Sequence, residues 1–581
     1  MTAIFSRIKM NRKQVVSVVL FVLFSTIAQM MIPMLVSLMI NDGVSDNNMK
    51  IIIILGIFMI VFAVVSCVLS SIAASISASI TTQFCAQLRK EVFHKVESFS
   101  AAEIDKFGTS SLITRNTTDV TQIQTFLSMV FRVGLLAPMM AAVGLVLCLM
   151  TAGKVSVVLV VAIPLLVLGI TLLTIAASRY SVKLRNKIDE INQLFLEALE
   201  GVRVIRAFNR QEHEIERFKN TNGESATLSQ KSLTMSNGVM PIVQTLFGLT
   251  TVGAMIIGSI LVVKGEMQVG TLVSATQYIS MILVGIILLA IVIGMYPDTY
   301  AYMNRIGEVL ETEASITDSE KEMPAPTCTG TVEYRNVTFS YPGADEPVIS
   351  GISFVSKPGE TTAIIGRTGC GKSSIVKLIP RLYDVTFGEV LVDGINVKKY
   401  KQEELRNLIG YVPQKNVLFS GDIASNMNFG KEDGTEEDWK EALRIACAEE
   451  FVEKKEGVYH AEVSQGGTNF SGGQRQRLAI ARAVMKKPEI YIFDDSFSAL
   501  DMKTDKQLRT NLKESMGDAT MIVVAQRVNT IMDATRILVL ENGKVVGQGT
   551  HKELLKSCQL YREIAEIQLG KEEVENELES A

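Results

Sequence analysis

One stretch in the second half of the chain has the residue types and spacing of a phosphate-binding loop. Residues 366–373 read Gly-Arg-Thr-Gly-Cys-Gly-Lys-Ser, a complete G-x-x-x-x-G-K-S pattern. Main-chain N–H groups in such a loop surround phosphate oxygens, the lysine neutralises phosphate charge, and the serine hydroxyl is a ligand for Mg²⁺. The pattern predicts binding of ATP and Mg²⁺ at Gly366, Arg367, Thr368, Gly369, Cys370, Gly371, Lys372, Ser373 and Ser374.

An apolar run that ends in two aspartates follows further along the chain, as Ile490-Tyr491-Ile492-Phe493-Asp494-Asp495. It predicts a strand with Asp494 at its end, where a carboxylate can hold Mg²⁺ beside the phosphates. Asp495 is then the residue that would polarise the water attacking the γ-phosphate. Its carboxylate is one methylene shorter than that of glutamate, which is a shortfall of roughly 1–1.5 Å. Because a misplacement of ~1 Å can cost about a hundredfold in rate, this site is predicted to hydrolyse ATP slowly.

A second glycine turn lies between these two motifs and precedes a helical run. It consists of Ser471, Gly472, Gly473 and Gln474. Two glycines before a helix predict another anion-binding N-terminus. Since one loop already holds a triphosphate, this turn is expected to contact a second nucleotide, bound by a partner subunit that faces this one.

The elements that must position these residues change character along the chain. Apolar residues make up 48% of the 581 and are concentrated in long runs before residue 300. We predict a membrane domain over 1–310, a linker over 311–329 that contains Pro324 and Pro326, an ATP-binding α/β domain with a helical subdomain over 330–570, and a disordered acidic tail over 571–581. Within the α/β domain, residues 361–365 are predicted to form the strand that enters the phosphate loop, and a helix is predicted to follow from Ser373.

Six apolar stretches are long enough to cross a bilayer, which takes roughly 20 residues each. They lie near 15–40, 51–80, 127–151, 155–177, 238–263 and 271–296. The connections over 81–126 and 178–237 are long and basic, and residues 7–13 are also basic, whereas the other connections are short. Charge bias predicts that the N-terminus, both long loops and the C-terminal domain lie in the cytoplasm.

The long loops are predicted to continue the membrane helices, because residues 183–219 have apolar side chains at helical spacing. Polar residues within the spans leave two interpretations open. Gln29, Gln244 and Gln277 either face a cavity or form hydrogen bonds between helices. Asp298 either attracts cationic substrates at a cavity mouth or is simply solvated.

Net charge and cysteine spacing exclude some other classes of protein. A formal charge of −4 does not favour a nucleic-acid partner. The seven cysteines, at positions 67, 85, 148, 328, 370, 447 and 558, have no paired spacing, so neither a disulfide framework nor a zinc site is expected. Cys370 lies at a predicted helix N-terminus, where a lowered pKa would make its thiol reactive.

The order of these motifs and the six spans resemble the ATP-binding cassette (ABC) transporter superfamily, and the arrangement resembles its half-size exporters. The resemblance implies further roles. Tyr341 matches the aromatic residue that stacks on adenine, and Gln414 matches the glutamine that reaches Mg²⁺ and contacts the membrane domain. Ser498-Ala499-Leu500-Asp501 matches the loop that communicates across the dimer, and residues 200–208 resemble a segment of the second cytosolic loop.

Three positions depart from the family's usual pattern. Asp495 stands where glutamate is usual, Gln526 stands where histidine is usual, and Phe470 stands where leucine usually begins the signature. Gln526 can form a hydrogen bond with the γ-phosphate but cannot carry positive charge. Phe470 is apolar like leucine, so the signature is expected to work.

In these departures the chain resembles one subunit of the bacterial heterodimeric multidrug exporters. They imply that this chain has a degenerate ATP site and a working signature, and that a partner half-transporter supplies the glutamate and histidine. The substrates implied are small amphipathic drugs or lipids, and the location implied is the bacterial cytoplasmic membrane. Two alternatives stay open: a homodimeric lipid flippase or peptide exporter with slow turnover, and an ATP-gated channel or membrane sensor.

Overall fold

A computed structural model describes residue 8 and residues 11–318 and 329–579. The chain forms two compact units. The first contains the described residues up to Glu97 together with Ser110–Thr312, and the second contains Ser98–Thr109 together with the described residues from Glu313 onward. Arg7 and Lys9 of the basic N-terminus, and Pro324 and Pro326 of the predicted linker, lie outside the described residues.

The first unit is entirely helical in its described part. Its helices are α1 (Arg12–Leu38), α2 (Met49–Glu97), α4 (Thr109–Thr114), α5 (Val120–Met129), α6 (Leu136–Ala152), α7 (Val157–Glu200), α8 (Val202–Ala207), α9 (Gln211–Asn237), α10 (Val239–Val263) and α11 (Val269–Glu311), with α3 (Ala101–Phe107) in the second unit. Wide π-helical turns at Met39–Val44, Arg115–Asp119 and Val130–Gly134 join or extend some of them.

Six continuous helical segments of the described chain are long and apolar enough to span a membrane, as the sequence predicted. They are Arg12–Val44, Met49–Glu97, Thr109–Ala152, Val157–Glu200, Gln211–Val263 and Val269–Glu311. At 1.5 Å per residue the 49 residues of α2 measure about 74 Å. A bilayer has a hydrocarbon core of ~30 Å, so α2 continues well beyond it.

The predicted helical extension over 183–219 is present but interrupted. Helix α7 ends at Glu200, the short α8 follows Gly201, and α9 begins at Gln211. Gly201 has φ −86° and ψ 5°, outside helical values, and this breaks the rod.

A buried ion pair joins two helical segments of the first unit. Arg305 Nε and Nη2 donate to the two carboxylate oxygens of Asp119 at 2.9 and 2.6 Å. The Asp119 carboxylate is buried and the Arg305 side chain is half exposed. This bidentate geometry ties the turn before α5 to the last part of α11.

The second unit is built on two main sheets. Its strands are β1 (Val332–Phe339), β2 (Ile349–Ser356), β3 (Thr361–Gly366), β4 (Phe387–Val392), β5 (Ile395–Asn396), β6 (Ile409–Val412), β7 (Gly421–Asp422), β8 (Glu462–Val463), β9 (Ile490–Asp494), β10 (Thr520–Val524), β11 (Arg536–Glu541) and β12 (Lys544–Gly549). The larger sheet has the order β12-β11-β3-β10-β9-β6, and only the edge strand β12 is antiparallel. The second unit also contains an antiparallel sheet of order β2-β1-β4-β5 and a small β7-β8 pair.

Helices cover both faces of the larger sheet. They are α12 (Lys372–Leu378), α13 (Gln402–Asn407), α14 (Ile423–Asn428), α15 (Glu436–Ile445), α16 (Glu449–Glu453), α17 (Gly472–Met485), α18 (Met502–Ser515), α19 (His551–Ser557), α20 (Gln559–Leu569) and α21 (Lys571–Glu579), with 3-10 turns at Val397–Lys399, Val458–His460, Gln465–Gly467 and Val528–Thr530. Every residue of β9 and β10 is buried, as expected of parallel strands covered on both faces. Ala363 and Ile365 of β3 contribute to one core and Ile364 to the other.

The segment Ser98–Thr109 lies far from the second unit in sequence but packs within it. Helix α3 begins with a capping box between Ser100 and Glu103. Tyr383 Oη donates a hydrogen bond to Asp105 Oδ2 at 2.8 Å. The sequence did not indicate this docking, because Asp105 belongs to a loop between two membrane helices.

The predicted disorder of the acidic tail is wrong for most of its length. Residues Lys571–Glu579 form helix α21. Val574 is buried, and His551 Nε2 lies 2.7 Å from Glu577 Oε2. Two apolar residues at helical spacing, Val574 and Leu578, together with the contact between Glu577 and His551, dock a segment whose charge suggested disorder. The last two residues lie outside the described chain.

Candidate functional site

The predicted site residues meet at the carboxyl ends of neighbouring parallel strands. The phosphate loop follows β3, Gln526 follows β10, the two aspartates end β9, and Gln414 follows β6. Since these strands are adjacent in the order β3-β10-β9-β6, four separate segments of the sequence reach one edge of the sheet. Ligands of open α/β sheets bind at this edge.

The phosphate loop has the strand, turn and helix that the sequence predicted. Gly371 has φ +98°, and a Cβ there would lie 2.6 Å from Ile349 Cγ2, so only glycine fits. Arg367, Thr368 and Gly369 form the exposed part of the loop, while Cys370 is buried. Burial shields the Cys370 thiol from solvent, which works against the reactivity expected from its place at a helix N-terminus.

Lys372 points its charge back into the loop. Its Nζ donates to the carbonyl oxygens of Gly366 and Arg367 at 2.8 and 2.9 Å, and Cys370 Sγ lies at 3.9 Å. The side chain is buried with no carboxylate among these partners. A buried cation solvated only by carbonyls favours an anion in the loop, which is the setting for a triphosphate.

Oxygen donors suited to Mg²⁺ stand beside the loop. Ser373 Oγ donates to Asp494 Oδ1 at 2.7 Å, and Tyr411 also forms a hydrogen bond with Asp494. Burial raises the pKa of Asp494, against the opposing hydrogen bond from Ser373 and the charge of Lys377. A buried carboxylate with a hydroxyl beside it fits Mg²⁺, which takes few protein ligands and completes its shell with phosphate oxygens and water. No cluster of three or more His, Cys, Asp or Glu suited to a metal occurs in the described chain.

The Asp495 carboxylate is held by two glutamines. Gln526 Nε2 donates to Asp495 Oδ2 at 2.8 Å, and Gln414 Nε2 donates to the same oxygen at 3.3 Å. The backbone of Asp495 is left-handed, with φ +50°, and its N–H donates to Val524 O on β10 at 3.0 Å. Burial raises the pKa of Asp495, although the bonds from both glutamines and the charge of Lys372 oppose that rise.

The main chain at Asp495 connects the site to the signature helix. Its carbonyl oxygen accepts hydrogen bonds from Gln476 Nε2 at 3.3 Å and from Ser498 Oγ at 3.0 Å. Gln476 Oε1 in turn accepts from Ala499 N at 3.2 Å. Gln476, which the sequence did not single out, therefore fixes α17 to the loop that begins at Ser498.

The signature forms a capped helix N-terminus. Ser471 Oγ accepts from Gln474 N at 3.3 Å, and Gln474 Oε1 accepts from Ser471 N at 3.0 Å, which is a capping box. Gly472 is exposed, and a Cβ on Gly473 would lie 3.1 Å from Ala499 O. The dipole of helix α17 favours an anion at this N-terminus, and contact with a second nucleotide stays a prediction.

Phe470 fills an apolar position immediately before the signature. It is buried, its ring lies 6.4 Å from that of Phe451, and Lys455 Nζ lies 4.3 Å above it. Arg475 Nη1 donates to Phe470 O at 2.7 Å. The side chain is a packing residue, consistent with the interpretation that its departure from leucine leaves the signature intact.

Tyr341 lies in an aromatic cluster near the phosphate loop. Its ring meets Phe339 and Tyr383 edge to face, with centroids 4.9 and 5.2 Å apart, and its Oη lies 3.1 Å from Ser374 Oγ. An aromatic residue at this place can pack against a base held by the loop. Tyr383 was missed by the sequence analysis because no motif marks it.

Asp501 caps a helix and is otherwise exposed. Its carboxylate accepts from Thr504 N at 2.9 Å and from Thr504 Oγ1 at 2.7 Å, at the N-terminus of α18. These bonds lower the pKa of Asp501. The residue therefore fixes the end of the Ser498–Asp501 loop on the surface.

Comparisons with known proteins agree with this geometry. The family model for the ABC transporter transmembrane region matches residues 15–287, and the ABC transporter model matches residues 349–498. An uncharacterized ABC transporter ATP-binding protein of Mycobacterium bovis is 38% identical over 97% of both chains. The uncharacterized ABC transporter ATP-binding protein YfiB of Bacillus subtilis is 34% identical over 94% of both chains.

Two further matches bear on the kind of transporter. The probable multidrug resistance ABC transporter ATP-binding/permease protein YheI of Bacillus subtilis is 29% identical over 83% of this chain and 82% of its own length. A solved structure of a bacterial Atm1-family ABC exporter with ATP bound superposes with a TM-score of 0.78, at 22% identity, over 95% of this chain and 97% of that one. At this identity the likeness is one of fold. The chain is thus a multi-pass membrane protein of the ABC transporter family, with a transmembrane region followed by an ATP-binding region in the half-size arrangement and with the fold of an ABC exporter.

Proposed function

We propose that this chain is the degenerate-site subunit of a heterodimeric exporter. It binds MgATP through Lys372, Ser373 and Asp494 and hydrolyses it slowly. It gives its signature, Ser471–Gln474, to the ATP site of a partner half-transporter that carries the competent glutamate and histidine. The pair moves small amphipathic drugs or lipids out of the cytosol or the inner leaflet.

The observation that carries this proposal is the environment of Asp495. Burial raises its pKa, which is the direction that suits a general base. The reach of the side chain limits the reaction, because the carboxylate is short and one of its oxygens accepts hydrogen bonds from Gln526 and Gln414 at 2.8 and 3.3 Å. Neither glutamine can supply positive charge to the γ-phosphate.

The signature half of the proposal depends on a different part of the unit. The capping box at Ser471 is complete, and Gln476 links α17 to Asp495 O and Ala499 N. A glycine turn at the N-terminus of a long helix suits an anion, and we assign it to the nucleotide of the partner subunit. The asymmetry of one impaired site and one intact signature favours an unequal pair.

The direction and class of transport come from the exporter fold and from the relative YheI, whose name describes multidrug resistance. We place the protein in the bacterial cytoplasmic membrane with both termini in the cytoplasm, on the charge bias of its connections.

The first test uses the purified full-length chain in lipid nanodiscs. It should bind ATP, yet its ATPase rate should be at least about a hundredfold below that of the complex recovered with a co-expressed partner. Recovery of a second half-transporter with glutamate after its own strand-end aspartate supports the pair. Trapping of ADP on this chain's own phosphate loop at the rate of the whole cycle would contradict the slow site.

A homodimeric lipid flippase or peptide exporter is the alternative outcome. It predicts that the chain alone forms a dimer, transports without a partner, and has two equal sites. Substrate-stimulated transport by the single chain in vesicles would therefore favour it over the unequal pair.

A further inference from the structure

We propose that Gln568 on the C-terminal helix α20 is a positioning residue that holds the Gln526 loop in place beside the ATP site. Gln568 Oε1 accepts a hydrogen bond from Val528 N at 2.7 Å. Gln568 Nε2 donates to the carbonyl oxygen of Gln526 at 2.8 Å. One side-chain amide therefore binds the main chain on both sides of Arg527, which a short loop cannot do for itself.

Helix α20 is anchored firmly enough to serve as a reference for that loop. Leu560, Tyr561 and Ala565 are buried, and they share a core with Val528. Gln568 follows Ala565 by three positions, so it continues the same face of the helix. The 3-10 turn Val528–Thr530 follows the loop, and Gln526 and Arg527 are exposed. The Arg527 guanidinium donates to Leu500 O and Ser498 O at 3.3 and 3.2 Å, which holds the side chain of Arg527 and leaves the main chain of the loop to Gln568.

The same helix also lies beside the phosphate loop. Glu563 Oε2 is 3.9 Å from Arg367 Nη2, and both side chains are largely exposed. Such a pair adds little stability. The pair does show that α20 lies next to the loop after β3, in addition to the loop after β10 that Gln568 contacts.

Gln568 affects the ATP site by way of Gln526. Its main-chain carbonyl is held by Gln568, and its side-chain amide lies 2.8 Å from Asp495 Oδ2. A side chain that must also meet a γ-phosphate needs a fixed main chain, since hydrogen bonds weaken steeply with misalignment. Gln568 is thus expected to sharpen the preference of the site for ATP over ADP. This inference rests on the proposed role of Gln526 at the γ-phosphate.

The test compares nucleotide affinities of the full-length chain and of Gln568→Leu, by displacement of a fluorescent ATP analogue. Adenylyl imidodiphosphate and ADP are the competing ligands, so hydrolysis plays no part. We expect the affinity for adenylyl imidodiphosphate to fall about 5–10-fold, a partial loss of one hydrogen bond to a charged group, and the affinity for ADP to stay the same. Amide hydrogen exchange at Val528 should rise at the same time.

Two further variants make the result specific. Gln559→Leu is the matched control, because Gln559 lies on the same helix, is exposed, and donates only to Glu563 at 3.0 Å in the described contacts. It should leave both affinities unchanged. In a Gln526→Ala background, Gln568→Leu should cause no additional loss, because both changes act through one group.

Three outcomes would overturn the proposal. They are an unchanged ATP analogue affinity in Gln568→Leu, an equal fall for ADP, and a full additional loss in the Gln526→Ala background. Fast ATP hydrolysis by the chain alone would contradict the proposed slow site but would leave these binding results unaffected, so the two failures are distinguishable.

Discussion

At the scale of single residues, the candidate site centres on the short side chain of Asp495. Burial raises the pKa of Asp495, which is what a general base at neutral pH needs. The same side chain is one methylene shorter than that of glutamate, and its Oδ2 accepts a hydrogen bond from Gln526. Asp495 and Gln526, the two positions proposed to make this site slow, therefore contact each other directly and should be treated as one unit.

The double variant Asp495→Glu with Gln526→His is expected to raise the ATPase rate of the chain about 10²–10⁴-fold. Each single change should give much less. In Asp495→Glu the longer carboxylate would still face a neutral amide, and in Gln526→His the imidazole would still face a short carboxylate. Steady-state phosphate release from the purified full-length chain measures this. Additive single effects would show that the two residues do not act together.

Asp494→Asn should stabilise the nucleotide-free protein at neutral pH while abolishing MgATP binding. Burial raises the folded-state pKa of Asp494, so its favourable contribution to folding is complete below the unfolded value of about 3.9 and is lost as pH rises through the folded pKa. Ser373 can still donate to the amide oxygen. Thermal unfolding at several pH values checks the sign.

The expected gain in midpoint should shrink as pH falls toward the unfolded pKa, where both side chains are neutral. The exposed Asp433→Asn is the matched control and should show no such pH-dependent gain. A lower midpoint for Asp494→Asn at neutral pH would mean that the carboxylate stabilises the empty site.

Sequence reasoning predicts the site residues that sit in motifs, and it does not reach residues that no motif marks. Lys372 and Asp494 were predicted because glycine turns and strand ends have fixed spacing. Gln568 and Tyr383 were not, because their partners lie far away in the chain and each depends on how helices pack after folding. Such contacts leave no local pattern.

At the scale of elements, polar contacts between side chains join the three C-terminal helices. His551 is buried, with Nδ1 2.7 Å from Tyr561 Oη and Nε2 2.7 Å from Glu577 Oε2. Helices α19, α20 and α21 each supply one of these three residues. The tail was predicted to be disordered because charge was weighed and the spacing of Val574 and Leu578 was not.

His551→Leu should undock α21 and cost about 1.5–3 kcal/mol, the range for hydrogen bonds that involve a charged group. Hydrogen exchange over 571–579 and thermal unfolding of the full-length chain measure the two effects. His460→Leu is the control, because His460 is 70% exposed and pairs with Asp422 at 2.8 Å on the surface. That change should cost no more than ~1 kcal/mol. Equal effects of the two variants would show that the buried contacts do not anchor the helix.

At the scale of the whole molecule, the number of membrane helices was predictable and their full lengths were not. Hydropathy detects only the apolar part of a helix, about 20 residues. The remainder of α2 or α7 is amphipathic and polar, so its continuation depends on helical spacing alone. The docking of Ser98–Thr109 within the second unit depends on tertiary packing, which no window of sequence contains.

Orientation in the membrane is the property on which every transport assignment for this chain depends, and it can be tested with single cysteines. In a background in which Cys67, Cys328 and Cys447 are replaced by serine, Asp46→Cys lies in the short turn before α2 and His213→Cys lies at the start of α9. Both positions are exposed. Positive charge is denser around the second position, with Arg210, Arg217 and Lys219, than around the first, which has Lys50 nearby. We therefore expect an impermeant maleimide to label Asp46→Cys in intact bacterial cells and His213→Cys only after permeabilisation. The reverse pattern would put the ATP-binding unit outside the cell, where no ATP supply could drive it, and would exclude export powered by this site.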